Sequence, residues 1–555
     1  MKYTKNYLLD LFQIFLLLFV PLFISLIAYR IIPIENVEPT SIVSATSAIN
    51  AILWTLIVTQ VIINYPLIRN YSLNLVLQIN LLFILIYVSA VKILIKALSL
   101  KGTPLPGSDI RGDLLNIVNL AKIAQRQYWS GGPNFIFPEG GYPPVWPSLI
   151  GNIAGLLDRH VLSIFKPAEF LLLLISPVIV LYIWRLILEN WMALVVATSQ
   201  TLIYDFSYKT ITLNVLIPGL IFIVLKIKDS SPNKVFIYGI FLGVVSMTYF
   251  GYIYWLIPLM LTIIPLILFS KDREKYINLH THLYLGLGIG LGPVIYFRVT
   301  SEIAFYYFIL FVVYLLLFLF KNNKSILRII LSFTTLGMFL GLLWALFYFR
   351  TLDSWIYDDI DKKDPTVDSI ISLNGMGIFI FLAIIIGLYF IIEQKNQIST
   401  LFMLVGIYIS SSIFMYFIAS QMQITGRVDL WPRSLEVQQI SLTLIYLLLF
   451  LFILDKFHKE KLINKFFEPN SRNYFYLTSF GLFILGSFLV SSLGSHAHAS
   501  MPYHAFNAAW FAHQGCSNPH EDPMLAKVFE SNPDIQEFLR ENCSSVVWAE
   551  IPKIN

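Results

Sequence analysis

The chain has 555 residues, of which 57% are hydrophobic and 13% charged, against about 25% charged in a soluble globular domain. That balance excludes an ordinary soluble enzyme, and apolar runs long enough to cross about 30 Å of hydrocarbon recur from end to end. The net charge of +5 is spread over short loops with no basic face and no RNA-binding motif, which argues against a nucleic-acid partner.

The opening stretch, MKYTKNYLLDLFQIFLLLFVPLFISLIAYR, is longer than a signal-peptide core, and no small-residue cleavage site follows it. It reads as a first spanning helix. Further apolar segments fall near 46–64, 73–98, 169–184, 190–204, 210–225, 235–250, 254–269, 280–296, 304–320, 329–348, 374–392, 399–419, 438–454 and 474–493. The expected fold is an all-α polytopic membrane protein, a bundle of about fifteen transmembrane helices. The loops KIKDSSPNK, KDREK, KNNKSILR and DKFHKEKLINKFFEPNSR are short and basic, whereas the long ones hold most of the Pro, Trp and Asp. The positive-inside rule then places the N-terminus in the cytoplasm and the C-terminus outside the plasma membrane. Four parts follow: N-terminal spans 1–99, an outer loop 100–168, a transmembrane bundle 169–493, and a small outer domain 494–555.

Within the outer loop, DLLNIVNLAKIAQRQYW places Leu114, Leu115, Ile117, Val118 and Ala121 on one helical face, the pattern of an interfacial amphipathic helix. Before it stands GSDIRGD, residues 107–113. Asp109 and Asp113 are four apart, with Arg111 between them; on a helix both carboxylates point to one side. Such a pair at a membrane surface suits a general base, which needs a carboxylate within reach of the hydroxyl it activates. The alternative is a helix cap from Ser108 or Asp109. After it comes PEGGYPPVWP, whose prolines and glycines exclude a helix interior. Pro143 and Pro144 stiffen the backbone that carries Tyr142 and Trp146. An aromatic shelf beside a carboxylate suits a sugar ring; an interfacial aromatic anchor is the alternative.

Several signatures are missing. There is no P-loop, no dinucleotide fingerprint, no GxSxG elbow and no HExxH. GLGIGLG, residues 286–292, lies inside an apolar run and reads as close helix packing. Most ionisable groups cluster at segment ends and in outer loops, unlike the mid-membrane carboxylates of ion-coupled carriers. The outer cations Lys209 (in YDFSYK), Arg298, and Arg427 and Arg433 (in TGRVDLWPRS) are candidates to hold a phosphate, headgroup contact being the alternative. The acidic run DSWIYDDIDKKD reads as a solvated loop, with a second source of the base or a divalent-cation site as its alternative; no other cofactor is implied. Five of nine histidines lie between His496 and His520; the spacing matches no closed structural zinc site, and they read as substrate-bonding or surface histidines, with a metal site as the alternative. The two cysteines, Cys516 and Cys543, both fall in the tail, and in an oxidising compartment they are expected to pair.

Many spans, an early acidic outer loop and an outer tail resemble the GT-C class of glycosyltransferases. Within it, Asp109, then Gly141-Tyr142-Pro143-Pro144-Val145-Trp146, then Asp158-Arg159 resembles the galactan arabinofuranosyltransferase family of actinobacterial cell walls (arabinofuranosyltransferase A). The likeness is best over residues 100–170; the Gly-Asp start is one residue longer here, as Gly107-Ser108-Asp109. The composition is Lys-, Ile- and Asn-rich where family members are Ala- and Arg-rich. The resemblance implies an inverting transfer from a polyprenyl-phosphate sugar, arabinofuranose in that family, to a cell-envelope glycan. Outside the cytoplasm an activated sugar must arrive on a lipid. Asp109 would deprotonate the acceptor hydroxyl, with Asp113 as the second candidate. Arg427 and Arg433, then Arg298 and Lys209, would stabilise the leaving phosphate. Tyr142, Trp146 and the prolines, with Arg111 and Arg159, would contact substrate, and the tail would bind the glycan. Transfer of another sugar such as mannose, or a flippase or polysaccharide transporter, are the competing expectations.

Overall fold

The computed structural model describes residues 7–31, 73–107, 113–127, 145–188, 190–203, 207–219, 231–248, 279–297, 302–319, 323, 444, 515–516 and 523–543. Among the described residues the chain is helical throughout, with no strand. Two units pack separately: residues 1–211 with 486–555, and residues 212–485. The tail thus belongs with the N-terminal part of the chain. Among the described residues, two helices are long and apolar enough to cross a membrane, over Leu81–Leu98 and Val161–Leu186. The predicted segments at 46–64, 254–269 and beyond 329 lie outside the described residues, Leu444 aside.

In the first unit, α1 (Tyr7–Ile31) lies on α2 (Leu73–Ser99). Pro21 lies inside α1, and one turn later the Ser25 hydroxyl faces both the Pro21 carbonyl of its own helix at 2.6 Å and the Ala90 carbonyl of α2 at 2.9 Å, a polar tie between the two helices. Phe12, Phe15, Phe19 and Phe23 line the exposed face of α1. Two short helices follow, α3 (Asp113–Gln127) and α4 (Val145–Leu157), and they pack closely together. Gly151 makes that approach feasible, because a methyl group there would overlap the Ala121 carbonyl oxygen. Next come α5 (Val161–Ile187), α6 (Asn190–Ile203) and the single turn α7 (Tyr208–Ile211).

Three expectations change. The apolar face of α3 does not lie open to a membrane surface. Leu114, Ile117, Val118 and Ala121 are buried in one core with Ile150 and Ala154 of α4 and with residues of the tail. Trp146 is not on a stiff loop but in the first turn of α4, followed by Pro147. Proline is tolerated there, because the first four N–H groups of a helix have no intrahelical acceptor. Lastly, α5 begins at Val161 rather than near 169, running through Lys166, Pro167 and Glu169. Lys166 and Glu169 both find partners inside the protein.

In the second unit, α8 (Pro232–Ser246), α9 (Leu279–Phe297) and α10 (Glu302–Leu319) pack in sequence order. The GLGIGLG run lies on α9, and its glycines serve two neighbours. Added Cβ atoms at Gly288 and Gly292 would meet the α8 backbone at Phe236 and Ile240; at Gly286 and Gly290 they would meet Tyr314 and Phe311 of α10. Gly288→Ala drives a methyl group into backbone that cannot rotate away. It is expected to lower stability by about 1–3 kcal/mol, read as a fall in the melting temperature of the detergent-solubilised protein.

Candidate functional site

The segment leading towards Asp109 is built first. After α2, the chain turns over residues 100–107, with Gly102 and Gly107 in the left-handed region at φ 85° and 93°. Glycine suits both positions because a Cβ is disfavoured there. Lys166 of α5 holds this turn from below: its Nζ donates to the Leu100 and Thr103 carbonyls, each at 2.6 Å. The Thr103 hydroxyl accepts from Leu105 N–H at 3.1 Å. It also lies 3.4 Å from Cys516 Sγ.

Cys516 and Cys543 form a disulfide across 27 residues of chain. Between them α11 (Pro523–Ser531) and α12 (Pro533–Asn542) present Phe529, Ile535 and Leu539 to the same core as Leu100, Leu105, Leu114 and Ile117. Helices this short are marginal alone. The disulfide contributes roughly 3–4 kcal/mol by restricting the unfolded chain.

A polar cluster pins the other end of α12. Lys122 Nζ of α3 meets Asp534 Oδ2 at 2.6 Å. His160 caps α5, its Nδ1 accepting from Leu162 N–H at 3.3 Å, and its ring stacks on Phe538 with centroids 4.4 Å apart. An acceptor Nδ1 means that neutral His160 carries its proton on Nε2, which faces Asp534 Oδ2 at 3.5 Å. Burial lowers the His160 pKa below its ordinary 6.5, with Asp534 opposing only in part. For Asp534, burial pushes the carboxyl up, but the hydrogen bond and charge of Lys122, with smaller ones from His160, bring it below 3.8. Both groups hold fewer protons folded than unfolded, so both favour docking at higher pH. The His160 contribution is lost as pH falls below 6.5 towards its folded value, and the Asp534 contribution only below 3.8. Docking of α11–α12 is therefore expected to weaken as pH falls below 6.5, read by hydrogen exchange of the α12 amides, and His160→Gln is expected to flatten that first step.

On another side of the same core, Trp146 is 7% exposed and stacks in parallel on Tyr208 of α7, centroids 5.3 Å apart. Lys209 Nζ lies 5.9 Å from the Tyr208 ring centroid. Two residues singled out in the sequence, Trp146 and Lys209, are thus brought together through a tyrosine that was not. The Trp146 indole N–H is buried, and no acceptor among the described residues reaches it.

The remaining predicted residues divide plainly. Asp113 is the first residue of α3. Arg159 is exposed on the turn after α4, where its carbonyl accepts from Gln125 Nε2 at 2.9 Å. It sits nearly the full length of α4 from Trp146, roughly 17 Å. Asp109, Arg111, Tyr142, Pro143, Pro144, Arg298, Arg427 and Arg433 lie outside the described residues, as does the acidic run at 353–364. Among the described residues no three His, Cys, Asp or Glu side chains are grouped to hold a metal ion.

Sequence reasoning also missed the Lys96–Glu169 ion pair, 2.8 Å long, with both residues buried between α2 and α5. Lys92 and Lys96, four apart inside an apolar run, were the signal available. No family model matches this chain, and no curated protein or solved structure matches it.

Proposed function

We propose that the protein is a GT-C-type membrane glycosyltransferase, a bundle of about fifteen spans, with its site and tail on the outer face of the plasma membrane. It moves a sugar, arabinofuranose as the first choice, from a polyprenyl-phosphate donor to a cell-envelope glycan. Asp109 takes the acceptor proton as that oxygen attacks the anomeric carbon with inversion, and cations stabilise the departing lipid phosphate. The support is that the YPPxW segment and the Asp motif lead into one packed unit, although the Trp146 ring itself packs in its core rather than forming an open shelf. The Trp of the YPPxW signature is a buried part of the same unit as the helix that follows the Asp motif, stacked on Tyr208 beside Lys209. The disulfide favours an oxidising compartment for the tail, and the exposed phenylalanines of α1 suit contact with lipid.

The buried Lys96–Glu169 pair favours a second reading, a flippase, because paired charges between apolar helices also mark transport paths. Reconstituted vesicles separate the two. With polyprenyl-phosphate sugars in the membrane and a glycan acceptor outside, a transferase releases free polyprenyl phosphate. A flippase changes the leaflet of the intact donor and releases none.

A further inference from the structure

Among the described residues the disulfide-closed tail makes two polar attachments that the proposed chemistry does not use. One end of α12 is tied by Asp534 to Lys122 and His160, at 2.6 and 3.5 Å. At the other end Cys543 follows α12 directly and is bonded to Cys516, which sits 3.4 Å from the Thr103 hydroxyl. Thr103 belongs to the 100–107 turn, which Lys166 holds through the carbonyls of Leu100 and Thr103. The turn is therefore gripped from α5 on one side and from the tail on the other, and Asp109 follows its last residue by two. Leu100 and Leu105 of the turn are fully buried and share their core with Phe529, Ile535 and Leu539 of the tail.

We infer that the Cys516–Cys543 disulfide is a redox-controlled brace, which sets the 100–107 turn while closed and releases it when a dithiol reductant opens it. The reductant supplies two electrons and two protons; the S–S bond breaks to give two Cys thiols, and the dithiol becomes a cyclic disulfide. Opening severs the covalent link between α12 and the Cys516 segment. Among the described residues the two short helices then hold by Phe529, Ile535 and Leu539 in the core and by the contacts of Asp534 and Phe538 with Lys122 and His160, and the cover on the core face of the turn is weakened. The regulatory consequence rests on the transferase reading, since Asp109 is its proposed base; the brace itself does not.

The test uses the full chain in detergent, with and without dithiothreitol, and follows trypsin cleavage after the exposed Lys101 by mass spectrometry. Reduction is expected to speed that cleavage at least tenfold and to lower donor turnover in parallel. The double variant Cys516→Ser, Cys543→Ser, which cannot form the bond, is expected to show the fast cleavage with or without the reductant. An unchanged cleavage rate on reduction would overturn the brace. Faster cleavage with undiminished turnover would overturn its control of the site. If neither state turns over any donor, the transferase reading fails, while cleavage at Lys101 still decides the brace.

Discussion

Trp146→Ala is expected to destabilise the N-terminal unit by about 3–5 kcal/mol, the usual cost of emptying a large aromatic site. The indole fills the start of α4, is 7% exposed, and covers the Tyr208 ring. Trp146→Phe separates packing from hydrogen bonding. It keeps a ring against Tyr208 but removes an N–H that has no acceptor among the described residues. A buried donor without a partner costs about 1–3 kcal/mol. The smaller ring gives back part of that, so the Phe variant is expected to melt within a few degrees of the parent. If the N–H waits for a substrate oxygen, the same variant loses turnover while keeping its stability. Thermal unfolding and donor turnover, measured side by side on both variants, tell a packing residue from a binding one.

Lys96→Met is expected to cost up to about 3–5 kcal/mol, because it removes the 2.8 Å ammonium contact of a buried carboxylate. The double variant Lys96→Met, Glu169→Leu is expected to regain most of that loss, since an apolar pair of similar volume is often as good as a buried ion pair. The cycle also bears on mechanism. A transferase with its chemistry at the outer surface keeps turnover in the double variant. A flippase that moves charge past this pair does not. Recovery of stability together with loss of leaflet exchange would shift the balance to the carrier reading.

The helical, apolar character of the chain was legible because hydrophobic runs and their spacing are local properties. The GLGIGLG run was legible for the same reason: glycines two and four apart inside an apolar helix have little use except close approach, and all four face a neighbour. The amphipathic face of α3 was read correctly as a face, but its cover was not. A stripe of Leu114, Ile117 and Val118 says that something apolar lies against it. Whether that is lipid or a tail some 400 residues later is a long-range fact, absent from the stripe itself. Trp146 was misplaced because four prolines in ten residues read as a loop, whereas Pro147 falls within the one helical turn that tolerates it. The start of α5 was placed near 169, after Lys166 and Pro167; within the helix the Lys166 charge is met by the carbonyls of the 100–107 turn and that of Glu169 by Lys96 of α2. Tyr208 was overlooked beside Lys209, although an aromatic next to a cation near an interface is a pairing worth weighing.

The proposed base is the point on which the reading depends most. Purified protein is given a panel of polyprenyl-phosphate sugars, arabinofuranose included, with glycan acceptors, and release of free polyprenyl phosphate is compared between the parent chain and Asp109→Asn. Removing a general base typically lowers the rate by 10²–10⁴-fold, so turnover by the parent and its loss to background in Asp109→Asn is the expected result. Equal turnover in the two chains would take the base away from Asp109, and no turnover by the parent with any donor would contradict the transferase itself.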